Sequence, residues 1–241
     1  PVAKGEAIDL NIEDMTVEQG LALIEDERVQ PLRNYLKTGV FENKTNFSFM
    51  KAYSVVVAFG DQQQHSYKLY VYYKKVISEY CQEVMAAMGD CCSGEELLKA
   101  LAELWEKSTI LVFWMQRVFQ YLDRFFTKNN NEYPDLFSAA LRAFQEAVYD
   151  RCKDRCIAAM IDAINRERNR HDIDQDVIRL LVEMLCTVGD PQPKIVKEKG
   201  AVERLMWQSH SKGCYKVDFE SALLTSTSDF YRAKVTGWLA E

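Results

Sequence analysis

The stretch "FSFMKAYSVVVAF", residues 47–59, is almost entirely apolar and aromatic, in a chain that carries a formal net charge of -6. Its three consecutive valines make it the best strand candidate in the sequence. No turn signal or second run stands close enough to complete a hairpin, so the stretch is read as a helix. A surface helix shows one apolar stripe and one polar face; this one is greasy on both sides. It is also too short to cross a bilayer, which takes ~20 apolar residues. At ~100° per residue, Ala52, Val55 and Phe59 gather on one side, and Phe49, Met50, Tyr53 and Val57 on the other. Two readings stay open. The helix is a central core element buried all round, or it packs one side on its own bundle and keeps the other for a partner protein. Phe, Tyr and Met are the residue types enriched at interface centres.

Outward from that stretch the helical period continues. The apolar spacing predicts helices over 17–38, 46–60, 65–88, 95–107, 109–128, 135–166, 174–188, 200–211 and 217–240, the last broken near Thr227. Thr16, followed by Glu18 and Gln19, has the chemistry of a helix start, because its hydroxyl can accept a free backbone N–H. Pro31 is expected to kink the first helix, since it has no N–H to donate. "TKNNNEYPD" (127–135) and "GDPQPKIVKEKG" (189–200) read as loops. With 10 Gly and 5 Pro clustered between long amphipathic segments, the expected fold is all-α, with helical bundles stacked as an α-solenoid.

Composition narrows the function classes. The 241 residues are 48% hydrophobic with a formal net charge of -6, and the basic residues are scattered. That is enough apolar content for a core, and it argues against a nucleic-acid footprint. The opening "PVAKGEAIDLNIEDM" reads as neither a secretory signal nor a membrane anchor. Seven cysteines, odd in number and mostly within helical patterns, fit free thiols in a reducing compartment. No membrane or nucleic-acid partner is expected.

Five stretches, taken in order, carry a resemblance. They are "FMKAYSVV" (49–56), "SYKLYVYYKKVISEY" (66–80), "LLKALAELWEKSTILVFWMQRVFQYLDRFF" (97–126), "INRERNRHDIDQDVIRLLVEML" (164–185) and "YKVDFESALLTSTSDFYRAKVTGWL" (215–239). The first is similar to Tyr-Met-x-Leu-Tyr-Thr-x-Val, and the last to Tyr-x-x-x-Phe-Glu-x-x-x-Leu-x-x-Thr followed by a Trp. Together they resemble the N-terminal half of cullins, the scaffold subunits of multisubunit ubiquitin ligases. The opening "MTVEQGLALIEDERVQPLRNYL" (15–36) resembles the class that builds SCF ligases.

The resemblance implies a non-catalytic stalk of five-helix repeats, with 1–16 a flexible N-terminal segment, 17–150 a first, adaptor-binding repeat and 151–241 an incomplete second repeat. The repeat would grip a small BTB/POZ-fold adaptor carrying an F-box receptor. Carried over by motif, the adaptor face is Phe49, Met50, Ala52, Tyr53 and Val57, with Tyr121 and Arg124 from "YLDRFF". A RING subunit would bind a C-terminal part lying beyond this chain, in a protein of cytoplasm and nucleus. Three departures stand out. Ala52 and Val57 replace the family's usual Leu and Tyr, Arg170 stands where a Gly is common, and 189–214 is long enough for an insertion.

Other chemistry fits the residues less well. Asp172, Asp174, Asp176 and Glu183 mimic a calcium loop, but Val177 stands where the loop needs Gly, so a helix start is the better reading. Cys152 with Cys156, Cys91 with Cys92, and His210 with Cys214 have no second pair at zinc spacing. No phosphate-binding glycine loop is present. No cofactor or metal is expected. Two alternatives stay open, a generic α-helical solenoid that binds another peptide and a metal- or thiol-dependent α-helical enzyme.

Overall fold

Thr16 starts the first helix as its chemistry predicts. Its hydroxyl accepts the Gln19 N–H at 3.2 Å, and the Gln19 side chain accepts the Thr16 N–H at 2.8 Å, a reciprocal cap that satisfies two donors. The computed structural model describes residues 15–40, 47–89, 94–130, 132–189, 192–196, 204–208 and 213–238. Helix α1 (Val17–Ile24) runs through a π-turn, Glu25–Val29, into α2 (Gln30–Thr38), with Pro31 in the first turn of α2. The widened turn lies just before Pro31, so its missing donor falls in the first turn of α2 and the helical backbone continues through it. Gly39, left-handed at φ 71°, ends it.

The remaining helices are α3 (Phe47–Gly60), α4 (Gln63–Met88), α5 (Gly94–Leu122) with a π-turn Asp123–Thr127, α6 (Leu136–Phe144) joined through Gln145–Tyr149 to α7 (Asp150–Arg168), α8 (Gln175–Thr187), and α9 (Ser221–Trp238) after the π-turn Tyr215–Glu220. The fold is all-α apart from one small ribbon. Helix α5 is continuous across Ser108, where two helices were expected; the Thr109 hydroxyl returns to the Glu106 carbonyl at 2.7 Å. Helix α9 likewise stays intact at Thr227, whose hydroxyl donates to the Leu223 carbonyl at 2.6 Å.

The exception is the insertion. Strands β1 (Gln192–Val196) and β2 (Arg204–Gln208) pair antiparallel, with Ile195 opposite Leu205 and Gln192 opposite Gln208. The expected helix over 200–211 is therefore wrong at 204–208, which is strand. β-Branched Ile195 and Val196 favour the extended backbone. A two-stranded ribbon also leaves outward-facing N–H positions that Pro193 can occupy.

Contacts divide the chain into two compact units, Pro1–Tyr73 with Met115–Leu136, and Lys74–Trp114 with Phe137–Glu241; α4 and α5 lend residues to both. In the first unit Ile24, Val29, Val56, Leu69, Tyr73, Phe119 and Leu122 are buried, and the Tyr73 and Phe119 rings meet edge-on at 5.6 Å. In the second, Trp105 meets Phe144 edge-on at 5.2 Å, and the Tyr149 hydroxyl donates to Asp218 at 2.7 Å.

The α7–α8 turn explains one departure in the sequence. Arg170 has φ 66°, the one non-glycine residue with positive φ among the described residues. Its N–H donates to the Glu167 carbonyl at 2.8 Å, as a helix-ending turn requires. An L-residue with a side chain loses about 1 kcal/mol in this conformation. Arg170→Gly should therefore raise the melting temperature by about 2–4 °C, and Arg170→Val should lower it. A calorimetric scan of both variants checks this; a drop for the glycine variant would mean that the arginine side chain holds the turn.

Candidate docking face

Helix α3 answers the question posed by its composition. Ala52, Val55, Val56 and Phe59 are buried, while Phe49, Tyr53 and Val57 are half-buried and Met50 is 57% exposed. The helix is therefore not buried all round. Its inner side is fixed by α1: a side chain at Gly20 would stand 2.7 Å from the Phe59 ring and 2.8 Å from Val55. Only a residue without Cβ lets the two helices approach this closely. That is the physical content of the glycine in "EQG".

Ala52 is the one carried-over residue that the structure moves off the face. It is fully buried on the side of Val55, because the helical period places it with the inner residues whatever the motif alignment suggests.

The outer side is an aromatic surface. Phe49 and Tyr53 stack one turn apart, with centroids 6.3 Å apart and planes 6° from parallel. The Arg28 guanidinium, from the π-turn of the first rod, lies 5.4 Å from the Phe49 centroid, a cation–π contact on the ring face. Lys51 is anchored away from the ridge on Glu27 at 3.4 Å.

The end of α5 adjoins it. Tyr121 is half-buried, its hydroxyl donates to the Asp61 carboxylate, and its ring lies 4.4 Å from that of Phe125. The hydrogen bond to Asp61 holds the Tyr121 phenol above its ordinary range, with burial, the Asp61 charge and nearby Tyr53 adding to it in that order. Arg124 is exposed. Phe49, Met50, Tyr53, Val57, Tyr121 and Arg124 are thus all accessible within the first unit.

Sequence reasoning missed Phe125. Helical spacing of three and four places it in line with Trp114, Val118 and Tyr121, a line that reads mostly as bundle core, yet it is 53% exposed. The parallel line Met115, Phe119, Leu122 and Phe126 is buried. Trp114 and Tyr121 on the same line as Phe125 are themselves only half-buried, so that line runs along the margin of the core, and Phe125 lies at its end in the π-turn Asp123–Thr127. Asp123 holds that turn. Its carboxylate accepts the Leu136 N–H at 2.8 Å and the Gln116 amide at 3.3 Å, although burial pushes its pKa up.

The chemical alternatives fare differently. Asp174 is the N-cap of α8, its carboxylate accepting the Val177 N–H at 3.2 Å. Burial pushes the thiols of Cys81 and Cys156 up to about 12, and those of Cys152 and Cys214 up to about 11. Such thiols are poor nucleophiles near neutrality. No cluster of three or more His, Cys, Asp or Glu able to hold a metal occurs among the described residues. Cys91, Cys92 and His210 lie outside them. No described helix is long and apolar enough to cross a membrane.

A family model, the cullin alpha solenoid domain, matches residues 29–241. The chain belongs to the cullin family. Among relatives, it is 26% identical over 177 residues to Cullin-2 of Arabidopsis thaliana, which covers 73% of this chain and 21% of that protein. It is 25% identical over 176 residues to Cullin-1 of Oryza sativa subsp. japonica (72% and 23%), and 24% identical over 240 residues to Cullin-3 of Caenorhabditis elegans (94% and 27%). The chain spans 21% to 27% of the length of these three relatives.

Proposed function

We propose that this cullin domain is the adaptor-binding end of a ubiquitin-ligase scaffold of the SCF type. In this reading 17–150 form the adaptor-binding repeat and 151–241 the start of the next. The partner is a small BTB/POZ-fold adaptor that carries an F-box substrate receptor. A RING subunit would join through a region beyond this chain, in cytoplasm and nucleus. The single observation that carries the reading is the second apolar side of α3, where Met50 is exposed and Phe49, Tyr53 and Val57 are only half-buried, beside Tyr121.

The mechanism is geometric. Anchoring side chains that are already ordered in the free protein spare the entropy of ordering them on binding. Aromatic and long apolar anchors in desolvated pockets supply most of an interface's energy. A scaffold that holds substrate at a fixed separation from a distant ubiquitin donor raises their effective concentration without doing chemistry itself.

Titration of purified chain with such an adaptor, with and without its F-box receptor, tests this by calorimetry. Saturable one-to-one binding is expected. Absence of binding at adaptor concentrations of about 100 μM, well above the range of specific complexes, would reject the SCF reading. Binding only to a larger BTB protein with its own substrate-recognition domain would move the chain to another ligase class.

A further inference from the structure

Tyr121 is held in place more tightly than a surface tyrosine needs to be. Its ring lies so close to the last residue of α3 that a Cβ on Gly60 would stand 2.5 Å and 2.7 Å from its Cδ1 and Cε1. Gly60 is buried and helical, so a special backbone angle does not call for glycine here; the approach of the ring does. The Gly60 carbonyl is itself fixed, accepting the Ser66 hydroxyl at 2.7 Å. Asp61, one residue on, accepts the Tyr121 hydroxyl, and Phe125 packs on the ring 4.4 Å away. Backbone, carboxylate and ring therefore restrain Tyr121 from three directions. Tyr53 is near enough to raise the Tyr121 pKa further, which ties this arrangement to the α3 ridge.

We propose that Gly60 and Asp61 are positioning residues of the docking face, acting as a latch that presets Tyr121 in the orientation the partner meets. The proposal rests on the docking reading of α3 and adds two residues to it. Neither residue needs to touch the partner. Gly60 provides the seat, Asp61 the hydrogen bond, and the gain is an aromatic side chain that loses little freedom on binding.

A double-mutant cycle with a purified BTB/POZ-fold adaptor tests it. Asp61→Ala and Tyr121→Phe should each weaken binding about 5- to 10-fold, the range of one hydrogen bond plus one ordered side chain. The double variant should be no weaker than either single one, because both remove the same contact. Asp61→Asn, which keeps an acceptor oxygen, should restore most of the affinity. Gly60→Ala, which displaces the ring, should weaken binding about as much as Asp61→Ala.

Carbon-13 titration of the Tyr121 ring reads the latch without any partner. The phenol should titrate above the ordinary tyrosine range in the wild type and fall back in Asp61→Ala. Additive effects in the cycle, or equal loss in Asp61→Asn and Asp61→Ala, would overturn the proposal. So would a titration that Asp61→Ala leaves unmoved. A wild-type chain that does not bind the adaptor defeats the docking reading instead, and the ring titration still reports the latch by itself.

Discussion

Met50→Glu should weaken adaptor binding at least about 30-fold while leaving helicity and melting temperature near those of the wild type. Met50 is 57% exposed in the free chain, and methionine and glutamate are both good helix formers, so the folded state loses little. In a complex the same position is desolvated, and an unpaired carboxylate there has lost its water without gaining a partner. Tyr53→Asp should act in the same direction and more strongly, at about 100-fold or more, since it also removes an aromatic anchor. Its cost to stability is larger, because Tyr53 is half-buried and stacked on Phe49; about 1–2 kcal/mol is expected from the lost stack and the poorer helix former. The two variants together separate surface from core. Circular dichroism and thermal melts report folding, and calorimetry reports affinity. Unchanged affinity in both would place the partner elsewhere on the chain. Loss of cooperative unfolding in Met50→Glu would show that this side of α3 is needed by its own bundle.

The two sides of α3 were legible because a single period governs a regular helix, and the wheel separates Val55 from Tyr53 without knowledge of any neighbour. Ala52 was misplaced for an instructive reason. The family alignment assigns it by motif position, whereas its direction from the helix axis puts it with the buried side. Phe125 escaped because the wheel gives a residue's direction and not what packs against it: its line, with Trp114 and Tyr121 half-buried, runs along the margin of the core. The ribbon escaped for a related reason. Whether Arg204–Gln208 is helix or strand depends on Gln192–Val196 pairing with it, and local spacing carries no trace of that partner. Arg170 stands where the motif commonly has a glycine, and the chain makes a left-handed turn there without one.

The opposite face of α3 should behave in the opposite manner. Val55→Asp should cost more than about 4 kcal/mol, a large share of the ~5–15 kcal/mol that holds a typical domain together. Val55 is fully buried, and its methyl carbon sits where Gly20 allows α1 to come close, so there is no room for the side chain to swing toward water. A carboxylate in that position has neither a partner nor a hydrated route out, which is the costliest kind of core substitution. Val55→Thr, nearly the same in shape, controls for packing and should cost only the desolvation of one hydroxyl, about 1–3 kcal/mol. The pH dependence identifies the charge as the cause. Burial raises the folded-state pKa of the new aspartate above its unfolded value of ~3.9, so the penalty is full above the raised pKa and shrinks as pH falls toward 4. Denaturant melts at pH 7 and pH 5 should therefore show the variant gaining on the wild type at the lower pH. Here binding and folding are lost together, whereas Met50→Glu loses binding alone. If Val55→Asp folded normally at pH 7, Val55 would be reaching water and the division of α3 into an inner and an outer side would fail. Adaptor affinity in such a folded variant would then have no reason to depend on Met50 more than on Val55.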